Sequence, residues 1–366
     1  MGIKLGNICN FQSGGTPAKG NPDYFNGNIP WITTTALNGA RIGENDAVDW
    51  ITEKAINESA AKIVPAFSIM IGTRVGVGKV AINTEDMSTS QDIISLLDID
   101  EKTWSKDYLC KFLQGQSSYL QSQARGATIK GIRIDVLANL DVPSIDYKEQ
   151  QDVSKILDKV QLVIAARREE LQKLDDLIKA RFVEMFGDPV IGDKIKDNKH
   201  KIGDLASVTK LAGFEFTKYI QYKEDGDIIM LRGLNCKNGH LVLDDIKWID
   251  QETSDLLPRS KLYYGDILMT YAGTIGDVAM VDADNKYHLA PNVGKITIED
   301  KDNVNPVYLM HLFMFSHDYI MTFASQVAQA SINMQKIRNF EYYFPPIEEQ
   351  KLFASFVAQV DKSKVV

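Results

Sequence analysis

The chain repeats itself at long range. Lys4-Leu5-Gly6-Asn7-Ile8 recurs 197 positions later as Lys201-Ile202-Gly203-Asp204-Leu205, and Ile69–Ile82 (IMIGTRVGVGKVAI) recurs 198 positions later as Ile267–Met280 (ILMTYAGTIGDVAM). Ala127-Thr128-Ile129 is matched by Ala330-Ser331-Ile332. Pro143-Ser144-Ile145 followed by Glu149-Gln150-Gln151 is matched by Pro346-Ile347 followed by Glu349-Gln350-Lys351. Four separated blocks at a near-constant offset imply two copies of one fold. The period is far beyond the roughly 20–50 residues of a solenoid or propeller repeat. In a chain of 366 residues this leaves two domains of ordinary size, hence two similar sites held at a fixed distance.

Between the copies lies a stretch from about Tyr147 to Phe186 with no Pro or Gly and a dominance of helix formers. Val153, Leu157, Val160, Ile164, Leu171, Leu174 and Ile178 step by fours and threes, with Arg167 in one slot, which is a heptad seam. Arg167 reads as a register device or, preferably, as a snorkelling cation. Gly187, Asp188 and Pro189 stop the helix. Forty residues at about 1.5 Å each make a rod near 60 Å, too long to be a core helix, so its seam needs a partner. The partner is in the second copy, where Phe353, Val357 and Val360 stand 200 positions after Val153, Leu157 and Val160. Copies related by a pseudo-twofold axis place the two helices antiparallel, seam to seam, as a spacer between globular units. The second helix is the shorter, which leaves part of the first without an intramolecular partner.

Each copy mixes short β-rich segments bounded by Gly, Asn and Asp with a late helical patch, Lys106 to Ser122 or Val307 to Gln326. Neither alternates strand and helix as a doubly wound sheet does. The expected fold class is α+β, with two similar domains on an antiparallel, coiled-coil-like spacer.

No apolar run is long enough to cross a membrane, and the N-terminus lacks a secretory apolar core. Cys9, Cys110 and Cys236 are too scattered for a disulfide framework or a metal site, which favours the cytoplasm. The net charge of −8 argues against indiscriminate nucleic-acid binding but leaves room for specific binding by local loops. Gly72 to Lys79 looks like a phosphate loop, but its spacing is one residue too long, and the second copy keeps the turn while losing the phosphate-binding residues; a hairpin is the better reading. Asn21-Pro22-Asp23-Tyr24 lacks the second Pro of an adenine-methyltransferase signature and reads as a turn. His311 and His317, expected on one helix, are six apart and do not share a face. Glu349 and Lys351 open a helix rather than a nuclease site. No catalytic or metal-binding constellation stands out, so the chain reads as a binding protein.

Taken together, KLGNICNFQSGGTP, IPWITTTAL, FSIMIGTRVGVGK, ARGATIKGIR and VPSIDYKEQQDVSKILDKV closely resemble a target recognition domain and its conserved helix in the specificity subunit of type I restriction-modification systems. LQKLDDLIKARFVEMFGDP is similar to the central conserved region of that family, and PPIEEQKLFASFVAQVDKSK to its second conserved helix. The resemblance covers essentially the whole chain; its more specific parts are the Gly-Gly-Thr-Pro element and the Pro-Ile…Glu-Gln helix openings. It implies a first target recognition domain over 1–146, a central spacer helix over 147–187, a second recognition domain over 188–345 and a short second spacer helix over 346–366. It also implies a non-catalytic subunit that reads a split duplex DNA target and holds two methyltransferase subunits, which carry S-adenosylmethionine and flip the target adenine. Two restriction subunits using ATP and Mg can join them; this chain itself is expected to hold no cofactor. Family members commonly continue the second helix as far as the first, and the shorter one here bears on how strongly the second methyltransferase subunit is held.

Two like units suit two half-sites about one duplex turn, roughly 34 Å, apart. Candidate DNA contacts are polar, cationic or amide side chains on matched loops: Ser13, Thr16, Lys19, Thr33, Thr34, Arg74, Lys79, Arg125 and Lys130 in the first copy, and Lys210, Arg232, Tyr271, Thr274, Asn333, Gln335 and Lys336 in the second. Arg and Lys suit guanine edges or phosphates, and Asn and Gln suit adenine. A protein-binding scaffold is the alternative. A stand-alone adenine methyltransferase is disfavoured, because two recognition copies leave no room for a cofactor domain of about 150 residues.

Overall fold

The computed structural model describes residues 2–39, 41–126, 130–325 and 330–365; the repeated block Ala127-Thr128-Ile129 lies outside the described residues. The chain forms two compact units, Met1–Ala166 and Arg167–Val366, and the division falls inside one helix.

In the first unit, Asn10–Ser13 (β1), Arg41–Ile42 (β2), Ile69–Gly72 (β3), Val80–Asn83 (β4) and Ile93–Leu97 (β5) form a sheet in the order β1-β5-β3-β4-β2. Alternation along β3 sends Ile69 and Ile71 to one face, where Leu109 and Leu113 of the helix Lys106–Gly115 cover them. Met70 points the other way, into a core with Ile32, Leu37 and Met87. That second core lies under a sheet in which Phe25–Ile32 pairs with Asp49–Ile51 and runs parallel to Met87–Thr89, with Ile63–Val64 outermost. A sheet covered on both faces explains why β3 and β4 are buried at every position, with only Asn83 polar, rather than half polar. Gly2–Lys4 pairs with Asp141–Pro143, the return strand before the long helix.

The second unit repeats this plan, with four of the five strands of the first sheet and a separate two-stranded sheet, Cys236–Lys237 with His240–Leu241, besides. Ala206–Lys210 (β6), Ile267–Thr270 (β7), Val278–Met280 (β8) and Val293–Ile298 (β9) are ordered β6-β9-β7-β8. Ile228–Leu231 pairs with Lys247–Ile249 and runs parallel to Tyr287–Leu289, with Lys261–Leu262 outermost. Lys199–Lys201 pairs with Glu341–Tyr343. The fold is α+β and duplicated, with strands of matching role in matching order.

The helical patches are each split. Lys106–Gly115 is followed by Ser117–Gln123, and Pro306–Phe315 by His317–Met321, so His311 and His317 stand on different helices. In the second unit the break is fixed at Ser316, whose Oγ donates to the Leu312 carbonyl and meets the Tyr342 hydroxyl at 3.0 Å.

The long helix, α1, covers Tyr147–Phe186, 40 residues. Asp146 caps its start by accepting from Glu149 N at 2.8 Å. Gly187, at φ +64°, ends it, its N–H bonded to the Val183 carbonyl. The second conserved helix, α2, covers Ile347–Lys364. Within the second unit the two run antiparallel: Arg167 meets the carbonyls of Ser363 and Lys364, whereas Phe182 and Phe186 meet Phe353.

The seam itself differs from the heptad expectation. Ile178 is buried with Phe353, Val357 and Val360, and Leu174 packs at the edge of that cluster. The cluster belongs to the domain core, because Phe182 also stacks on Tyr308. Val153 packs instead on the core of the first unit. Leu157, Val160 and Ile164 are exposed, and so is every residue from 155 to 166. Arg167 is neither a plain snorkelling cation nor part of a seam. Its guanidinium binds the last carbonyls of α2 and the Glu170 carboxylate, a C-cap supplied by another helix.

Candidate nucleic-acid interface

Each unit gathers several chain segments at one end of its two larger sheets, held there by backbone hydrogen bonds. In the first unit Gly14 N donates to Ile93 O (3.0 Å), Ser90 N to Ile32 O (2.9 Å), Thr73 N to Asp92 O (2.8 Å) and Ile132 N to Thr73 O (2.8 Å). These bonds bring the segments that carry Ser13, Thr33, Arg74 and Arg125 side by side. Arg125 and Gly131 exchange N–H···O bonds of 2.9 and 3.0 Å. A Cβ on Gly131 would lie 3.0 Å from both Arg74 Cγ and Thr73 O, so a side chain there would push the loop and the hairpin apart by a few tenths of an ångström. The hairpin linking β3 to β4 turns through Gly76 and Gly78, at φ +69° and +81°, and no helix follows it.

The second unit makes four equivalent bonds. Tyr271 N donates to Asn292 O (2.9 Å), Ile332 N to Tyr271 O (2.8 Å), Ser325 N to Ser331 O (3.0 Å) and Ala290 N to Leu231 O (3.2 Å). Thr73 therefore corresponds to Tyr271, Arg74 to Ala272, Lys79 to Asp277, and Arg125 to Ser325. One backbone platform recurs while the side chains on it differ.

The candidate residues divide by what they already do. Ser13, Lys19, Arg74, Lys79, Arg125, Lys130, Thr274 and Gln335 are exposed, and Thr16 and Thr33 are half-buried. Thr34 is buried, 4% exposed, beneath the hairpin, where Gly72 and Gly76 come close to it; it supports the loop rather than presenting a reading group. Arg232 is tied to the Asp245 carboxylate and carbonyl at 2.7 and 2.9 Å. Asn333 caps the short helix Met334–Arg338 by accepting from Lys336 N, and Lys336 Nζ donates to the Phe323 carbonyl. The Lys210 ammonium lies 5.2 Å from the centre of the Tyr271 ring. Arg133 is not among the candidates, although its counterpart Asn333 is; it is exposed and pairs with Asp135 at 3.5 Å.

Burial pushes the thiols of Cys9 and Cys236 up to about 12 and that of Cys110 to about 11, so all three stay protonated. Among the described residues no group of acidic, His and Cys side chains could hold a metal ion, and no helix is long and apolar enough to cross a membrane.

The Type I restriction modification DNA specificity domain family matches the chain twice, over residues 2–175 and 196–365. The type I restriction enzyme MjaVIII specificity subunit of Methanocaldococcus jannaschii is 22% identical over 377 residues, covering 98% of this chain and 85% of that protein. The EcoBI specificity subunit of Escherichia coli is 22% identical over 371 residues, covering 93% and 71%. The MjaIX specificity subunit of M. jannaschii is 26% identical over 186 residues, half of this chain and 43% of that protein. Two solved structures share the fold over the whole chain and 90% of their own. One is the S subunit of a type I restriction-modification system from M. genitalium (TM-score 0.52, 13% identity). The other comes from work on complex assembly and conformational transition of the type I R-M system (TM-score 0.57, 14% identity). The curated relatives are specificity subunits, a role without catalysis of its own. With both halves matched and the same sheets ordered alike in each, the chain belongs to the type I restriction-modification DNA specificity family.

Proposed function

We propose that this chain reads a split duplex DNA sequence for a type I restriction-modification complex, each unit addressing one half-site. The observation that carries the reading is the duplicated backbone platform with divergent side chains. A shared scaffold sets the same pose on the duplex, and different loops on it read different bases. The domain limits follow: 1–146 and 188–345 as recognition domains, with 147–187 and 346–366 as the helices that set the gap between half-sites. Base and phosphate contacts come from the exposed members of the candidate set, led by Arg74, Lys79 and Arg125 in the first unit and by Tyr271, Thr274 and Gln335 in the second.

The partners are two methyltransferase subunits, with restriction subunits joining where cleavage accompanies modification; these supply S-adenosylmethionine, ATP and Mg. Support for a protein partner comes from α1. Ile156, Leu157, Val160, Leu162, Val163 and Ile164 are all exposed within a helix stretch that nothing described covers, and apolar surface of that kind marks interaction sites. The assembly works where the genome is, in the cytoplasm.

The test is the genomic methylation pattern, read by single-molecule sequencing with and without this gene. A split motif with a fixed gap that appears only with the gene supports the reading. An unchanged pattern in cells that express the partner methyltransferase refutes it.

A further inference from the structure

On the shared platform, the hairpin and the following loop are cationic in the first unit and carry no cation in the second. In the first, the hairpin 73–79 and the loop 123–133 carry Arg74, Lys79, Arg125, Lys130 and Arg133 and no acidic residue. In the second, the equivalent hairpin 271–277 carries Asp277 and no cation, and the equivalent loop 323–333 carries no charge at all. The equivalence rests on matched hydrogen bonds, Ile132 to Thr73 against Ile332 to Tyr271 and Arg125 to Gly131 against Ser325 to Ser331.

Availability sharpens the contrast. Arg74, Lys79, Arg125 and Lys130 are exposed, and none makes an ion pair among the described residues. At the corresponding end of the second unit Arg232 is ion-paired with Asp245, Lys336 is half-buried with its ammonium on the Phe323 carbonyl, and Lys210 lies over the Tyr271 ring. A free cation in contact with phosphate releases a condensed counterion; a neutral hydroxyl or amide does not.

We infer that the two units bind their half-sites by different physics. The first unit grips the DNA through cations and carries most of the salt dependence of binding. The second reads its half-site through neutral hydroxyl, amide and aromatic contacts that salt barely touches. This rests on the DNA-reading function proposed above.

The experiment measures DNA affinity of the full chain, reconstituted with its methyltransferase subunits, between 50 and 200 mM KCl on an oligonucleotide bearing the methylated motif. Two variants are compared: Arg74→Gln/Lys79→Gln in the first unit and Thr274→Ala/Gln335→Ala in the second. All four positions are exposed, and a thermal melt checks that folding is kept. The first variant should flatten the slope of log affinity against log salt by about 2, near 0.9 for each phosphate that is no longer neutralised. The second should weaken binding equally at every salt concentration and leave the slope unchanged. Equal flattening by both variants, or none by the first, overturns the inference. A wild-type complex that fails to prefer the motif over unrelated DNA overturns the proposed function instead.

Discussion

Gln150 and Gln350 are the same device used twice, and removing one tests how each long helix is seated. Gln150 lies in the first turn of α1 and is 1% exposed. Its Oε1 accepts from Ser105 N at 2.8 Å, and its Nε2 donates to the Thr103 and Ile145 carbonyls, both at 3.0 Å. Gln350 repeats every bond in the second unit, with Asn305 N, Asn303 O and Pro345 O, all at 2.9 Å. One side chain thereby ties the start of the helix to both the return strand and the loop before Lys106. Gln150→Leu keeps the volume but strands one N–H and two carbonyls. Each buried group left unpaired costs about 1–3 kcal/mol. Ile145 and Thr103 lie in connecting segments that water can reach after a small adjustment, so the net loss should be about 3–5 kcal/mol, a large part of a domain's usual stability of roughly 5–15 kcal/mol. Gln150→Glu should be worse at pH 7, because it keeps the acceptor but sets an unpaired charge beside two carbonyls. With two units the chain is not a two-state system, so the assay is native-state amide exchange. Amides of residues 105–113 and 147–154 should lose protection, while those of the second unit keep theirs. A loss below about 1 kcal/mol, smaller than the cost of a single stranded group, would refute the clasp.

Four further outcomes follow from the packing. Phe182→Ala removes a ring, 1% exposed, that touches Phe186, Tyr308, Phe315 and Phe353; it should destabilise the second unit by about 3–5 kcal/mol in urea unfolding and spare the first. Arg167→Ala should speed amide exchange in the last turn of α2 by about fivefold, since a partly exposed cap contributes about 1 kcal/mol, and Arg167→Lys should not restore the two-carbonyl grip. Burial lowers His311 to about 4, so its contribution to stability is complete above the ordinary histidine value near 6.5 and is lost as pH falls toward 4; His311→Leu should reduce the pH dependence of the urea midpoint of the second unit across that window, the remainder coming from His288, which burial also lowers. Val160→Glu/Ile164→Glu changes only exposed positions, so the chain should melt as before while retention of the methyltransferase subunit falls at least tenfold.

The repeat, the limits of α1 and the hairpins could be read in the sequence because each is a local or self-similar signal. The Pro- and Gly-free run ends where Gly187 takes up positive φ, and the repeated Glu-Gln pair marks the residue that seats each helix. What could not be read depends on neighbours far along the chain. Leu157, Val160 and Ile164 keep heptad spacing with Ile178, yet only Ile178 has Phe353 and Val357 against it. Periodicity reports which residues share a face and is silent on what covers that face. Thr34 resembles Thr33 in sequence, but the turn that follows the strand at Ile32 carries it under the hairpin. Arg232 looks like a free cation until Asp245, thirteen residues on, folds back onto it. Asn333 looks like a base-reading amide and is a helix cap, a role the adjoining short helix alone explains.

The central claim, one half-site to each unit, meets its most direct test in the methylome of a strain whose only change is Thr274→Lys/Gln335→Ala in the second unit. The account predicts that one half of the methylated motif changes or relaxes while the other half and the gap stay as they were. Simultaneous change in both halves, or a shifted gap with both halves intact, contradicts it.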